Sequence, residues 1–243
     1  MHQRIFFILI LVAGSSELLC QIAPTRPKVI PLTGNKDRFT TEVTITDVYG
    51  RPFKNNYSDV IGSPFFIDDW LYSSVKLVNG AKCEKIPARL DLVSQELHFT
   101  SIDKEDWIFY AQYIKEVEFS DSTSGKNYKF KTGLPRIDNQ NQNNFYLVLS
   151  EGSVSLLKSI RKIISVNKDD ISGEVEKKLD VYEDYYILSG NEIKRLKKEK
   201  EFILKALPDK KDSIESFLKK NPTNFKNVND IIKLFQFYNS PDQ

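Results

Sequence analysis

Two acidic pairs stand directly before the chain's two tryptophans: Asp68-Asp69-Trp70 and Glu105-Asp106-Trp107. Paired carboxylates beside aromatic rings are what glycoside hydrolysis uses: an acid and a base about 5–10 Å apart, with ring faces for sugar to stack on. The spacing argues against that use. Neighbouring residues of a strand point to opposite faces, so adjacent acids do not share a cleft. Asp103, Asp169-Asp170 and Glu183-Asp184 are further acids of the kind that turns and surfaces carry.

Other chemistries fail on residue supply. His98 is the only histidine after His2, and it lies in a strand-like run, Glu96-Leu97-His98-Phe99. No Gly-x-Ser-x-Gly turn accompanies it, so a serine triad has no scaffold. Cys83 with His98 supplies at most two zinc ligands, short of the usual four. Gly-rich phosphate cradles and the acidic calcium loop are also missing from the sequence. No cofactor, no metal ligand set and no catalytic residue is therefore assigned. The best binding candidates are Phe65, Phe66, Asp68, Asp69 and Trp70, inside Pro64-Phe65-Phe66-Ile67-Asp68-Asp69-Trp70-Leu71-Tyr72. They read either as an aromatic ledge for a glycan, peptide or protein or as rings closing the end of a core, the commoner fate of aromatics. The run Arg195-Leu196-Lys197-Lys198-Glu199-Lys200-Glu201 interleaves its charges, which suits a solvated helix face. Asn56-Tyr57-Ser58 is a glycosylation sequon that has no consequence in a bacterium.

The elements that must position these residues are mostly strands. Glu42-Val43-Thr44-Ile45-Thr46-Asp47-Val48 alternates polar and apolar. Asn79-Gly80 between alternating segments predicts a hairpin. Further strands are expected at 88–92, 96–100, 107–110 and 114–120, a spacing that suits a meander or open barrel. Residues 138–144 (DNQNQNN) form a polar break. Beyond it, 145–149 and 154–158 flank Glu151-Gly152, with 160–166 extending the second strand. Residues 169–178 read as a charged loop, and 185–188 with 192–196 as another hairpin about Ser189-Gly190-Asn191. From Lys197 the period becomes helical. One helix ends at Pro208, a second at Asn221-Pro222, and Asn227 caps a third carrying Ile231, Leu234, Phe235 and Tyr238 on one face. Such short helices are marginal alone and must pack on something.

The chain's start sets its compartment. Arg4 precedes the apolar run Ile5-Phe6-Phe7-Ile8-Leu9-Ile10-Leu11-Val12-Ala13, and Ser15-Ser16-Glu17-Leu18-Leu19-Cys20 forms a more polar exit. That is the pattern of a secretory signal peptide, cut between Cys20 and Gln21. Leu19 is not the small residue that lipidation of Cys20 would require. No later run approaches the roughly 20 apolar residues of a membrane span. Cleavage leaves Cys83 as the single cysteine, which excludes an intramolecular disulfide; a buried strand cysteine is preferred to a free or inter-chain thiol. Losing Arg4 and Glu17 together leaves the net charge at +2. A near-neutral chain has no electrostatic draw towards nucleic acid or anionic lipid. With 40% hydrophobic residues it can bury a core.

Gly62-Ser63-Pro64-Phe65-Phe66 with Trp70, the 75–80 hairpin, 145–157 (FYLVLSEGSVSLL), Tyr185-Tyr186-Ile187 with Gly190, and 235–239 (FQFYN) together resemble a group of exported proteins of Gram-negative environmental bacteria. The resemblance implies export to the periplasm, the outer membrane or beyond, and brings no activity with it. The expectation is an α+β chain: a signal peptide (1–20), an extended lead-in (21–40) and an antiparallel β-rich body (41–196). The break at 138–144 could divide that body into two β units, and a three-helix segment (197–243) follows. The function expected is a non-catalytic binding or assembly module of the cell envelope, its helices offered to an envelope protein. The alternatives are a carboxylate-dependent glycan hydrolase and a purely structural envelope protein.

Overall fold

The computed structural model describes Tyr57 and residues 59–100, 106–169 and 171–240, plus three two-residue strands upstream. The signal peptide, its junction at Cys20 and Gln21, and most of the 42–48 strand lie outside the described residues, as do Asp103, Glu105 and Asp170.

The upstream strands, β1 (Lys28–Val29), β2 (Ile45–Thr46) and β3 (Pro52–Phe53), form a small sheet of their own. The main sheet takes β4 (Val60–Ile61), β5 (Leu71–Leu77), β6 (Lys82–Asp91), β7 (Glu96–Thr100), β8 (Asp106–Tyr110) and β9 (Ile114–Asp121). It continues with β10 (Lys126–Lys131), β11 (Tyr146–Ser150), β12 (Val154–Lys168), β13 (Val175–Ser189) and β14 (Glu192–Arg195). Its order is β14-β13-β12-β11-β10-β9-β5-β6-β7-β8, antiparallel throughout, with β4 added in parallel to β13. These 11 strands and three C-terminal helices, α1 (Lys200–Ala206), α2 (Lys211–Lys220) and α3 (Val228–Asn239), make the fold α+β.

The expected turns act as read. Gly80 has φ +90°, and Asn79 Oδ1 accepts the Ala81 N–H at 3.0 Å, closing the β5–β6 hairpin. Asn227 Oδ1 caps α3 by accepting from the Asn229 N–H at 2.9 Å. β10 and β11, on either side of 138–144, pair directly, so one sheet runs through the polar break.

The far end of the sheet curls back onto β12. Lys162 N–H donates to Leu92 O at 3.0 Å, and Gln95 donates to Ile160 O at 3.4 Å while accepting from Phe145 N–H at 3.0 Å. The result is an open barrel around a core that includes Leu77, Leu90, Leu97, Phe119, Phe130 and Phe145. A second core lies between the sheet and the helices: Val154, Leu156 and Ile187 meet Ile203, Ile231, Leu234 and Phe235. The opposite face there buries Tyr146, Leu157, Tyr186 and Ile193 under Leu134 and Ile137.

Two expectations change. The loop placed at 169–178 ends earlier: 175–178 belong to β13. β12 and β13 pair over their full 15 residues each, and cross-strand charges such as Arg161–Asp184 and Lys158–Glu183 are at home on such a ribbon. Cys83 is buried as expected, but it is disulfide-bonded, which corrects the expectation of a lone thiol. That expectation followed from removing the chain's only other cysteine, Cys20, by cleavage.

Candidate functional site

The aromatic stretch at 64–72 is a strap laid across the β6–β7 end of the barrel. Backbone bonds hold it: Phe66 N–H to Leu90 O at 2.8 Å and Leu92 N–H to Pro64 O at 2.9 Å. From β12, the Lys162 ammonium donates to Ser63 O (2.7 Å) and Phe65 O (2.6 Å). Burial lowers the pKa of that ammonium, and the negative charges of Asp68 and Asp91 act against the shift.

The five candidate residues have separate fates. Phe66 packs edge-on to Tyr128 and Phe130, with centroids 5.0 and 5.1 Å away, and joins the core. Phe65 and Trp70 hold the Arg89 guanidinium, 3.8 and 4.3 Å from their ring centroids. A cation over ring faces is attracted by the ring quadrupole, so the ledge is occupied by the protein's own arginine. Phe65 also meets His98 edge-on at 5.4 Å. Asp68 accepts a hydrogen bond from Ser63 Oγ, and both Asp68 and Asp69 are exposed.

Asp91 is the hub beneath the strap. It is 1% exposed and accepts from Val93 N–H (2.7 Å), Ser94 N–H (3.0 Å) and Tyr57 Oη (3.0 Å), with His98 Nε2 at 4.0 Å. Burial, and then the Asp91 charge, push the Tyr57 phenol up. Sequence reasoning missed Arg89, Asp91 and Lys162. Their available signal was an Arg and an Asp framing Leu90 in a β-rich stretch, and a Lys amid the apolar 160–166 run.

A second polar group lies on the face that carries Tyr146 and Tyr186. Tyr186 Oη donates to Asp138 at 3.0 Å, Arg161 donates to Asp184 at 3.0 Å, and Arg195 bridges both carboxylates. Tyr146, fully buried, has its phenol pushed up to about 12, first by burial and then by Asp138. Its hydroxyl finds no partner among the described residues. Two arginines answer two aspartates here, so the group fastens the 134–140 loop to the sheet.

Of the acids the hydrolase alternative would use, Asp68 and Asp69 are exposed and Glu105 lies outside the described residues. Asp106 begins β8, Trp107 packs against the barrel core, and among the described residues no cluster of three His, Cys, Asp or Glu could hold a metal. No described helix is long and apolar enough to cross a membrane. The helices spend their apolar faces on the sheet. What they leave outside is a shallow cleft of about 480 Å³ between α2 and α3, beside the Phe217–Phe237 stack at 4.3 Å.

The largest departure from a well-covered surface is elsewhere. Of ten exposed large hydrophobic residues among the described residues, seven sit on the distal β12–β13 hairpin and the adjoining β4: Ile61, Ile163, Val166, Ile171, Val175, Val181 and Tyr182. Scattered apolar residues are ordinary on a surface; a concentration of them marks an interaction site. Comparison with protein-family models, curated proteins and solved structures finds no match for this chain.

Proposed function

We propose that this chain is an exported, non-catalytic binding or assembly module of the bacterial cell envelope, and that the distal β12–β13 hairpin is its docking surface. One observation carries the reading: the concentration of exposed apolar side chains on a ribbon that extends past the covered part of the sheet. The export signal and the resemblance to exported Gram-negative proteins supply the compartment. The C-terminal helices then serve mainly to cover the sheet, and only their outer cleft remains for an envelope partner.

The test is native electrophoresis of envelope fractions from the source bacterium. The wild-type chain should migrate in an assembly larger than itself, and a Val166→Ser/Val175→Ser/Val181→Ser variant should leave it while remaining folded. Migration of the wild type as the free chain overturns the reading. So does hydrolysis of envelope polysaccharide that Asp68→Ala or Asp69→Ala abolishes, since that outcome belongs to the hydrolase alternative.

A further inference from the structure

Among the described residues the distal part of β12 is an open sheet edge, and we infer that it pairs with the same edge of a second copy of this chain. This deepens the assembly reading above and rests on it. The backbone fixes which groups point outward. Ile160 O accepts from Gln95, and Lys162 N–H donates to Leu92 O, both on the side away from β13. Alternation turns the N–H and C=O of Ile164, Val166 and Lys168 the same way. β11 pairs with β12 only at 156–159, so these groups meet no strand among the described residues. A row of open donors and acceptors on a long strand is a template for another strand.

The edge is self-complementary in one antiparallel register. With Ser165 on a two-fold axis, Ile164 lies opposite Val166 of the partner subunit, and the pair recurs by symmetry. Leu92 and Gln95 already occupy the edge at Lys162 and Ile160, so the stretch that pairs is 163–167 of each copy. Ile160, Ile164 and Val166 share one face with Leu179 and Val181 across the β12–β13 ladder. Ile164 and Val166 of both copies would meet on one face at the axis, an isologous contact of the kind that closes a dimer.

The experiment uses the exported chain, purified after removal of its signal, with mass measured by light scattering over a concentration series. The expected result is a dimer. Val166→Pro should halve the mass without lowering the melting temperature, because the lost N–H points outward and the β13 ladder keeps its bonds. Val166→Lys provides the same readout if the proline variant does not fold. Ser165→Cys should give a covalent dimer on oxidation, since residues facing across a non-hydrogen-bonded antiparallel pair lie about 4.5 Å apart at Cα, within disulfide reach. Asn167→Cys should not. A wild-type monomer at every concentration overturns the inference, as does a dimer that survives both Val166 variants. Absence of the Ser165→Cys crosslink overturns the register. If the purified chain is monomeric while the envelope assembly still depends on the hairpin, this inference fails and the proposed function stands.

Discussion

Gly152→Ala should destabilise the protein through one side chain at the other end of the sequence. Gly152 lies in the β11–β12 turn, and its φ is not among the positive ones, so a new methyl group brings no backbone strain. It would instead collide with the Asn239 side chain at the end of α3. Asn239 is held there by two bonds, Nδ2 to Ser150 Oγ at 2.8 Å and to Val154 O at 2.9 Å. Moving it forfeits both, at about 1 kcal/mol each, and loosens the last turn of α3 over the sheet, for a total of about 2–3 kcal/mol. For a chain of this size that is a fall in melting temperature of roughly 4–12 °C. The assay is a double-mutant cycle by calorimetry or denaturant titration. Asn239→Gly alone should cost about 2 kcal/mol, and adding Gly152→Ala to it should cost less than about 0.5 kcal/mol more, because the obstacle has gone. Additive effects, or a Gly152→Ala protein as stable as the parent, would refute the latch.

The other predictions concern single side chains. Arg89→Ala empties the space between Phe65 and Trp70, should cost about 1–2 kcal/mol, and should shift the Trp70 fluorescence to the red; unchanged emission would mean the stack does not form in solution. Tyr146→Phe removes a buried hydroxyl that has no partner among the described residues, so its melting temperature should hold or rise, unlike most core substitutions. Because the Tyr146 phenol is raised in the fold to about 12, its stabilising contribution is complete below the ordinary tyrosine value near 10. That contribution fades as pH climbs from about 10 towards 12, so the phenylalanine variant should lose less stability over that alkaline range. Cys83 is disulfide-bonded and 4% exposed, so Ellman's reagent should count no thiol in the full-length chain, native or denatured, and one reactive thiol at Cys83 would refute the bond.

Much of the architecture was legible because local chemistry and global fold agree. Asn79-Gly80, Ser189-Gly190-Asn191 and Asn227 each do locally what their residue types favour, and the α3 stripe Ile231, Leu234, Phe235 and Tyr238 is buried as its period requires. The 169–178 segment misled because charge was read as a loop signal, whereas 175–178 pair by backbone with 165–168 and Lys177 turns outward to Asp59. The candidate site was legible only in part. Phe65, Phe66 and Trp70 are visible as an unusual aromatic run. That Phe66 belongs to the core and that Arg89 fills the other two rings depends on the partner strand, β6, and on the reach of Lys162 from 97 residues away. Nothing in a linear pattern announces such a tie.

The β12–β13 ribbon has two halves with different obligations. Its base is covered on both faces, by the helices on one and by the 134–140 loop on the other, and it carries Leu156, Leu157, Tyr186 and Ile187 into two cores. Its distal half keeps the same strand pairing but leaves Val166, Val175 and Val181 more than half exposed. A two-stranded ribbon is only marginally stable by itself, so the base must anchor the distal half. Substitutions at the base should therefore unfold the protein. Substitutions in the distal half away from Lys162, which ties the aromatic strap, should alter association and leave the melting temperature nearly unchanged. That separation is what allows the hairpin to be tested as a surface: a variant such as Val175→Ser that loses both association and fold together would show the ribbon to be core, and the docking assignment would have to be given up.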